Sequence, residues 1–158
     1  MEFLISLEES GVGMWVRESP SLFAFTGLIA LHAFGLAFAA GMSTAISLRI
    51  LGVAPQLPLA PMEKLFPIIW TAFSVNAVSG GLLLIGNATG DFVNPIFYIK
   101  MAFVVLGAVS VAQVRRRVFR NPNQATEQHR MLAMAPLACW AGAIIAGKMC
   151  EYPTYFRF

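Results

Sequence analysis

The stretch LFAFTGLIALHAFGLAFAAGMSTAISL, running from Leu22 to Leu48, decides the fold. It holds no Asp, Glu, Lys or Arg, and it ends against Arg49 and Gly52. A helix rises 1.5 Å per residue, so this run exceeds the roughly 20 residues that carry a helix across a hydrocarbon core about 30 Å thick. A helix that is apolar all the way round has no polar face to offer water, and lipid is its natural solvent.

Three more runs follow. The second, Leu65 to Ile85, comes after a link stiffened by Pro55, Pro58 and Pro61 and stops at Gly86-Asn87, with Gly90-Asp91 beyond. The third, Pro95 to Val114, opens on a proline suited to a first helical turn and ends on Arg115-Arg116-Arg117, which hydrocarbon excludes. The fourth, Met131 to Cys150, carries Pro136, which removes a backbone hydrogen bond and predicts a kink about one turn inside; Pro153 bars simple continuation. The composition agrees: 58% of the 158 residues are hydrophobic and 12% charged, where soluble domains carry about a quarter charged. The expected fold is all-α, an integral membrane four-helix bundle forming a single transmembrane domain over 1–158, with spans at 22–48, 65–85, 95–114 and 131–150.

The formal charge of +3 would suggest nucleic acid in a soluble protein, but the basic residues gather in one short link beside apolar spans, so no nucleic-acid partner is expected. They orient the chain instead. The third link holds Arg115, Arg116, Arg117, Arg120 and Arg130 against Glu127, and the first adds Arg49 and Lys64 against Glu63. The N-terminal segment has Glu2, Glu8, Glu9 and Glu18 against Arg17 alone. Positive links stay in the cytoplasm, which puts both termini on the periplasmic side. The acidic start is unlike a secretory leader, so the first run is expected to stay in the protein. Phe3 to Val16 is too short and acidic to span and reads as an interfacial helix or loop, with Trp15 at headgroup level.

Lipid-embedded helices associate through small residues that let backbones approach. Ala33, Ala37 and Gly41 on the first span, and Ala138, Gly142 and Ala146 beside Ala143 and Gly147 on the fourth, predict a close contact between those two helices. Cys139 and Cys150 sit on one predicted helix roughly 16 Å apart, beyond disulfide reach.

Counting from the span edges places His32, Asn76, Cys139 and Trp140 near the midplane. An ionisable residue at that depth is a functional candidate by default. Three roles compete for His32. It can hydrogen-bond Asn76 or a carbonyl as a neutral structural residue. It can be the metal ligand of a b-type haem, with Gly35 and Ala39 on its face leaving room for something flat or for another helix. It can carry protons along a chain hinted at by Ser74, Asn76 and Ser79. His129, at the edge of the fourth span, is about 15 Å away in depth, so a haem would need Met42, Met101, a partner's ligand, or His32 alone. Nearer the outer surface lie Lys100 and Lys148, with Asp91 and Glu151 at the same boundary. Lys148 can snorkel, whereas Lys100 lies deep enough to need a carboxylate, a carbonyl or an anionic ligand group. His32, Asn76, Lys100 and Lys148 are therefore the candidate cofactor-binding residues. No phosphate-binding glycine loop, zinc spacing or hydrolase triad occurs, so no catalytic residue is assigned and catalysis by the chain alone is not expected.

The segments Trp15-Val-Arg-Glu-Ser19, Leu31-His32-Ala-Phe-Gly-Leu36, Leu48-Arg49-Ile-Leu-Gly52 and Asn94-Pro95-Ile-Phe97 with Lys100, together with Trp140 to Gly147-Lys148, resemble an uncharacterised bacterial family of small four-helix membrane proteins over nearly the whole chain. More remotely, the layout is similar to copper-resistance D-type membrane proteins and to four-helix b-type cytochromes, which share a histidine in the first span. The resemblance implies a four-helix bundle in the bacterial inner membrane and permits a role in electron transport. The chain departs from the cytochromes in lacking their second membrane histidine. The expected function is that of an accessory or anchor subunit of a larger redox-active assembly, with haem, quinone or lipid held near His32. The expected partners are the lipid bilayer and other membrane subunits or copies of itself. A homo-oligomeric transporter or channel, and a purely structural subunit, are the alternatives at this level.

Overall fold

The computed structural model describes residues 1–119 and 127–151; Arg120 and Pro153 lie outside them. The described residues form helices and short links, with no strand among them. The helices are α1 (Glu2–Glu8), α2 (Gly11–Glu18), α3 (Phe25–Leu51), α4 (Leu65–Gly86), α5 (Ala88–Val93), α6 (Pro95–Val118) and α7 (Glu127–Glu151), with a 3₁₀ turn at Ala60–Lys64 before α4. Four of them, α3, α4, α6 and α7, are long and apolar enough to cross a membrane.

The long helices run past the C-terminal ends of the apolar runs that announce them, for local reasons, while α3 begins at Phe25 rather than at Leu22. α3 continues through Arg49 and stops at Gly52, whose left-handed φ of 103° lets the N–H of Val53 reach the Leu48 carbonyl. Arg49 then turns back on the proline-rich link and donates to the carbonyls of Pro55 and Leu57, which no helix partner serves. α6 opens where the Asn94 side chain accepts the N–H of Ile96 ahead of Pro95. It keeps Arg115, Arg116 and Arg117 in its last turn, where cations complement the helix dipole. Pro136 lies inside α7 and is fully buried.

The bundle is two close pairs, α3 with α4 and α6 with α7, joined by a smaller α3–α7 seam. This revises the expected use of the small residues. The tightest place is Gly35: a methyl there would lie 2.8 Å from both the Ala72 carbonyl oxygen and the Asn76 nitrogen of α4. In the second pair, Phe103 of α6 covers Gly142 and Trp140 of α7 covers Gly107. α3 and α7 do meet, through Ala40, Trp140 and Ala143. The Ala33-Ala37-Gly41 stripe, however, lines an open groove beside that contact, and nothing lies within 4 Å of a methyl built on Gly41. Spacing alone shows that a stripe is smooth, not which neighbour lies on it.

The N-terminal segment is neither a tail nor a single interfacial helix. α1 packs on α5, and α2 crosses the end of α4. Val16, 1% exposed, presses against Gly86, while Ser10 caps α2 by accepting from the Gly13 N–H. Glu8 accepts from the N–H and the hydroxyl of Thr89, at 2.7 and 2.6 Å. Phe3, Met14, Trp15, Leu22 and Phe23 face outward. The segment is a clasp over one end of the bundle, and the arginine-rich turns mark the other.

If Gly35 sets the α3–α4 distance, Gly35→Ala should cost about 1–3 kcal/mol of overpacking, seen as a fall of several degrees in the thermal midpoint of the detergent-solubilised protein. Gly41→Ala should be neutral or stabilising by up to about 1 kcal/mol through helix propensity. Equal losses from both changes would remove Gly35 from its place at the seam.

Candidate functional site

His32 and Asn76 meet across the α3–α4 seam. His32 Nδ1 lies 2.8 Å from the Asn76 carbonyl oxygen, and a carbonyl can only accept, so Nδ1 carries the proton and donates. The Asn76 side chain returns the bond: its Nδ2 donates to the His32 carbonyl at 2.8 Å. Asn76 Nδ2 also lies 3.2 Å from Nδ1, but two donors face each other there and no bond forms. Ser79 sits 3.5 Å from Nδ1 and spends its proton on the Val75 carbonyl at 2.7 Å. Asn76 and Ser79 are buried and the imidazole half-buried. With the proton held on Nδ1, Nε2 keeps its lone pair for an incoming hydrogen bond or a metal.

One feature of this site lies outside the residues picked from the sequence. Gly80 makes room for the ring: a methyl there would lie 2.8 Å from His32 Cε1 and 3.0 Å from Nδ1. Gly80-Gly81 in mid-span runs against helix propensity and, four residues after Asn76, was the signal available. Of the polar residues expected beside His32, Ser79 lies next to Nδ1 and Ser74 is exposed.

Lys100 stands on α6 at the same end, half-buried, with its stem about 4 Å from where a methyl on Gly147 would lie. No carboxylate among the described residues forms an ion pair with it. Its charge acts on Asp91, which lies outside the long helices. Burial raises the Asp91 carboxyl above its ordinary range, while the hydrogen bond from Asn87 and the Lys100 charge pull it back. Lys148 is exposed on α7. The structure thus joins His32 to Asn76, places Lys100 against Gly147 of α7, and leaves Lys148 on the surface. Trp140 is buried in the α3–α7 seam, its indole N–H without a hydrogen-bond partner among the described residues. Cys139 is a free thiol.

The donor set bears on the haem expectation. The described residues contain no group of three His, Cys, Asp or Glu able to hold a metal ion. Met42 packs against the core at the arginine-rich end, and Met101 is largely exposed. The face of His32 that carries Gly35 and Ala39 takes α4 rather than a flat group. His32 Nε2 is one axial nitrogen without a second at its depth, so these residues do not make a two-ligand haem pocket within one chain. No family of known proteins, no curated protein and no solved structure matches the chain.

At the clasp, the Thr89 donors, opposed by burial and assisted by the Arg17 charge, hold the Glu8 carboxyl below its ordinary value. A carboxyl depressed in the folded state stabilises above its unfolded pKa and loses that contribution as pH falls through the folded one. Asp91, raised by burial, has the opposite sign and costs stability at neutral pH. The thermal midpoint should therefore fall below about pH 4 in the wild type. It should fall less steeply in Glu8→Gln, and Asp91→Asn should raise the midpoint at pH 7. An acid slope unchanged in Glu8→Gln would show that Glu8 does not hold the clasp.

Proposed function

We propose that this chain is a small accessory or anchor subunit of a larger, redox-active assembly in the bacterial inner membrane, and that it presents His32 Nε2 to a cofactor at the subunit boundary. In this reading the arginine-rich end is cytoplasmic, as the charge distribution favours, and the clasp and termini are periplasmic. The observation that carries the proposal is the pinned imidazole. A ring tied at Nδ1 to a backbone carbonyl, with Nε2 unprotonated, has the orientation that ligating histidines acquire from their outer-shell partners.

Two occupants suit such an acceptor. The hydroxyl of a quinol can donate to Nε2, with Lys100 available to a polar head. A b-type haem can take Nε2 as one axial ligand when a neighbouring subunit supplies the other. The first needs only this chain's residues and fits them better. Asn76 and Gly80 position the ring, and α4 excludes other groups from its Gly35 side.

The test is a reduced-minus-oxidised visible spectrum, with quinone extraction, on protein purified together with its native partners. Wild type should carry the haem band or bound quinone, and His32→Ala, which keeps Gly35 and the Asn76 bond to the backbone carbonyl at position 32, should lose it while still eluting with the native partners. Full cofactor content in His32→Ala, or no redox-active material in the wild-type complex, would leave a subunit that only packs.

A further inference from the structure

At the arginine-rich end, α4 and α6 are not drawn together by a close backbone seam. They meet through bulk, with Phe66 and Ile69 of α4 set against Val111, Val114 and Val118 of α6, and with the Phe66 and Phe119 rings edge to face at 5.1 Å. These wedges leave a recess of about 550 Å³ between the 3₁₀ turn, α4 and the last turns of α6, a volume within the range of small-molecule sites. Trp70, Ala112 and Phe119 give it an apolar wall, and Glu63, Arg115 and Arg116 give it a charged rim.

The rim carries both signs. Glu63 and the two guanidinium groups share one recess, yet among the described residues none of the three forms an ion pair. Arg115 is held instead over the Phe66 ring, 5.7 Å from its centroid, which fixes a cation at the mouth. Trp70 lies two turns into α4 from Glu63, roughly 10 Å along the axis, so the apolar wall runs from the rim towards the hydrocarbon. By the same count Arg115 lies one turn inside Phe119, so charge and apolar surface share the recess.

We propose that this recess binds the headgroup of an aminophospholipid, with the phosphate between Arg115 and Arg116 and the ammonium at Glu63. Guanidinium groups are the natural partners of a phosphate. A purely anionic headgroup would set like charge against Glu63, and a cationic amphiphile would meet two arginines. The zwitterion satisfies all three side chains. The inference rests on reading the four long helices as membrane-crossing and is independent of His32, so failure of either experiment leaves the other standing.

The test is native mass spectrometry of the full chain released from detergent micelles holding equal phosphatidylethanolamine and phosphatidylglycerol. The wild type should retain phosphatidylethanolamine preferentially. Arg116→Gln should weaken its retention about tenfold, the scale of one lost charge-assisted bond. Glu63→Gln should keep lipid bound but reverse the preference towards phosphatidylglycerol. Ala112→Phe fills the recess without touching a charge and should abolish retention; circular dichroism and elution volume verify that each variant is folded. A preference unchanged in Glu63→Gln, or retention unchanged in Ala112→Phe, overturns the proposal. So does displacement of the lipid by millimolar inorganic phosphate, which assigns the recess to a free anion.

Discussion

The close approach of α3 and α4 at Gly35 is the constraint on which the rest of the structure depends. Apolar helices in lipid gain little by touching each other, because lipid tails serve them equally well; dispersion contacts between near backbones and hydrogen bonds across the seam must hold them. Gly35 supplies the approach, and the reciprocal bonds of His32 and Asn76 supply the polar tie at the same level. The two share one crossing, since a methyl on Gly35 would press on the same Asn76 that bonds His32. α3 in turn meets α7 through Ala40 and Ala143, and α7 takes α6 into its own small-residue seam. The packing order α4, α3, α7, α6 leaves the side between α4 and α6 to be closed by large side chains.

Much of the architecture was legible from hydropathy because hydropathy is a strong signal: four runs, their links and their ends all lie near the observed helices. The edges moved where local chemistry overrode the apolar pattern. Arg49 stays helical because its guanidinium finds link carbonyls, and the arginine triplet stays helical because helix and hydrocarbon need not end together. The pairing of helices was less legible. The stripe Ala33-Ala37-Gly41 looks like a seam and lines an open groove, while the parallel row Gly35-Ala39-Ser43-Ser47 is buried and contains the closest crossing at Gly35.

The site divides in the same way. His32 and Asn76 could be placed together by counting depth from two span edges, since helices of known rise turn sequence position into height. Height does not give azimuth, and azimuth decides the rest. It turns the Gly35 face of α3 towards α4, and it brings Gly80 beneath the ring. Contacts between distant short elements were not legible at all. Glu8 and Thr89 are 81 residues apart, each ordinary in its own neighbourhood, and only the fold of the clasp brings them within 2.7 Å.

The His32 site asks more of an imidazole than a helix clamp requires. Donating one hydrogen bond to the Asn76 carbonyl is work that a serine hydroxyl already does in this protein; Ser43, Ser79 and Ser110 each donate to carbonyls of their own helices. A histidine in that role brings a second ring nitrogen, which keeps its lone pair while Nδ1 donates. It also brings a ring large enough to require a glycine opposite it, and Gly80 carries the propensity cost of about 1 kcal/mol that a glycine imposes inside a helix. Gly80 therefore belongs with Gly35 in the α3–α4 seam: one glycine admits the neighbouring backbone and the other admits the ring that ties it.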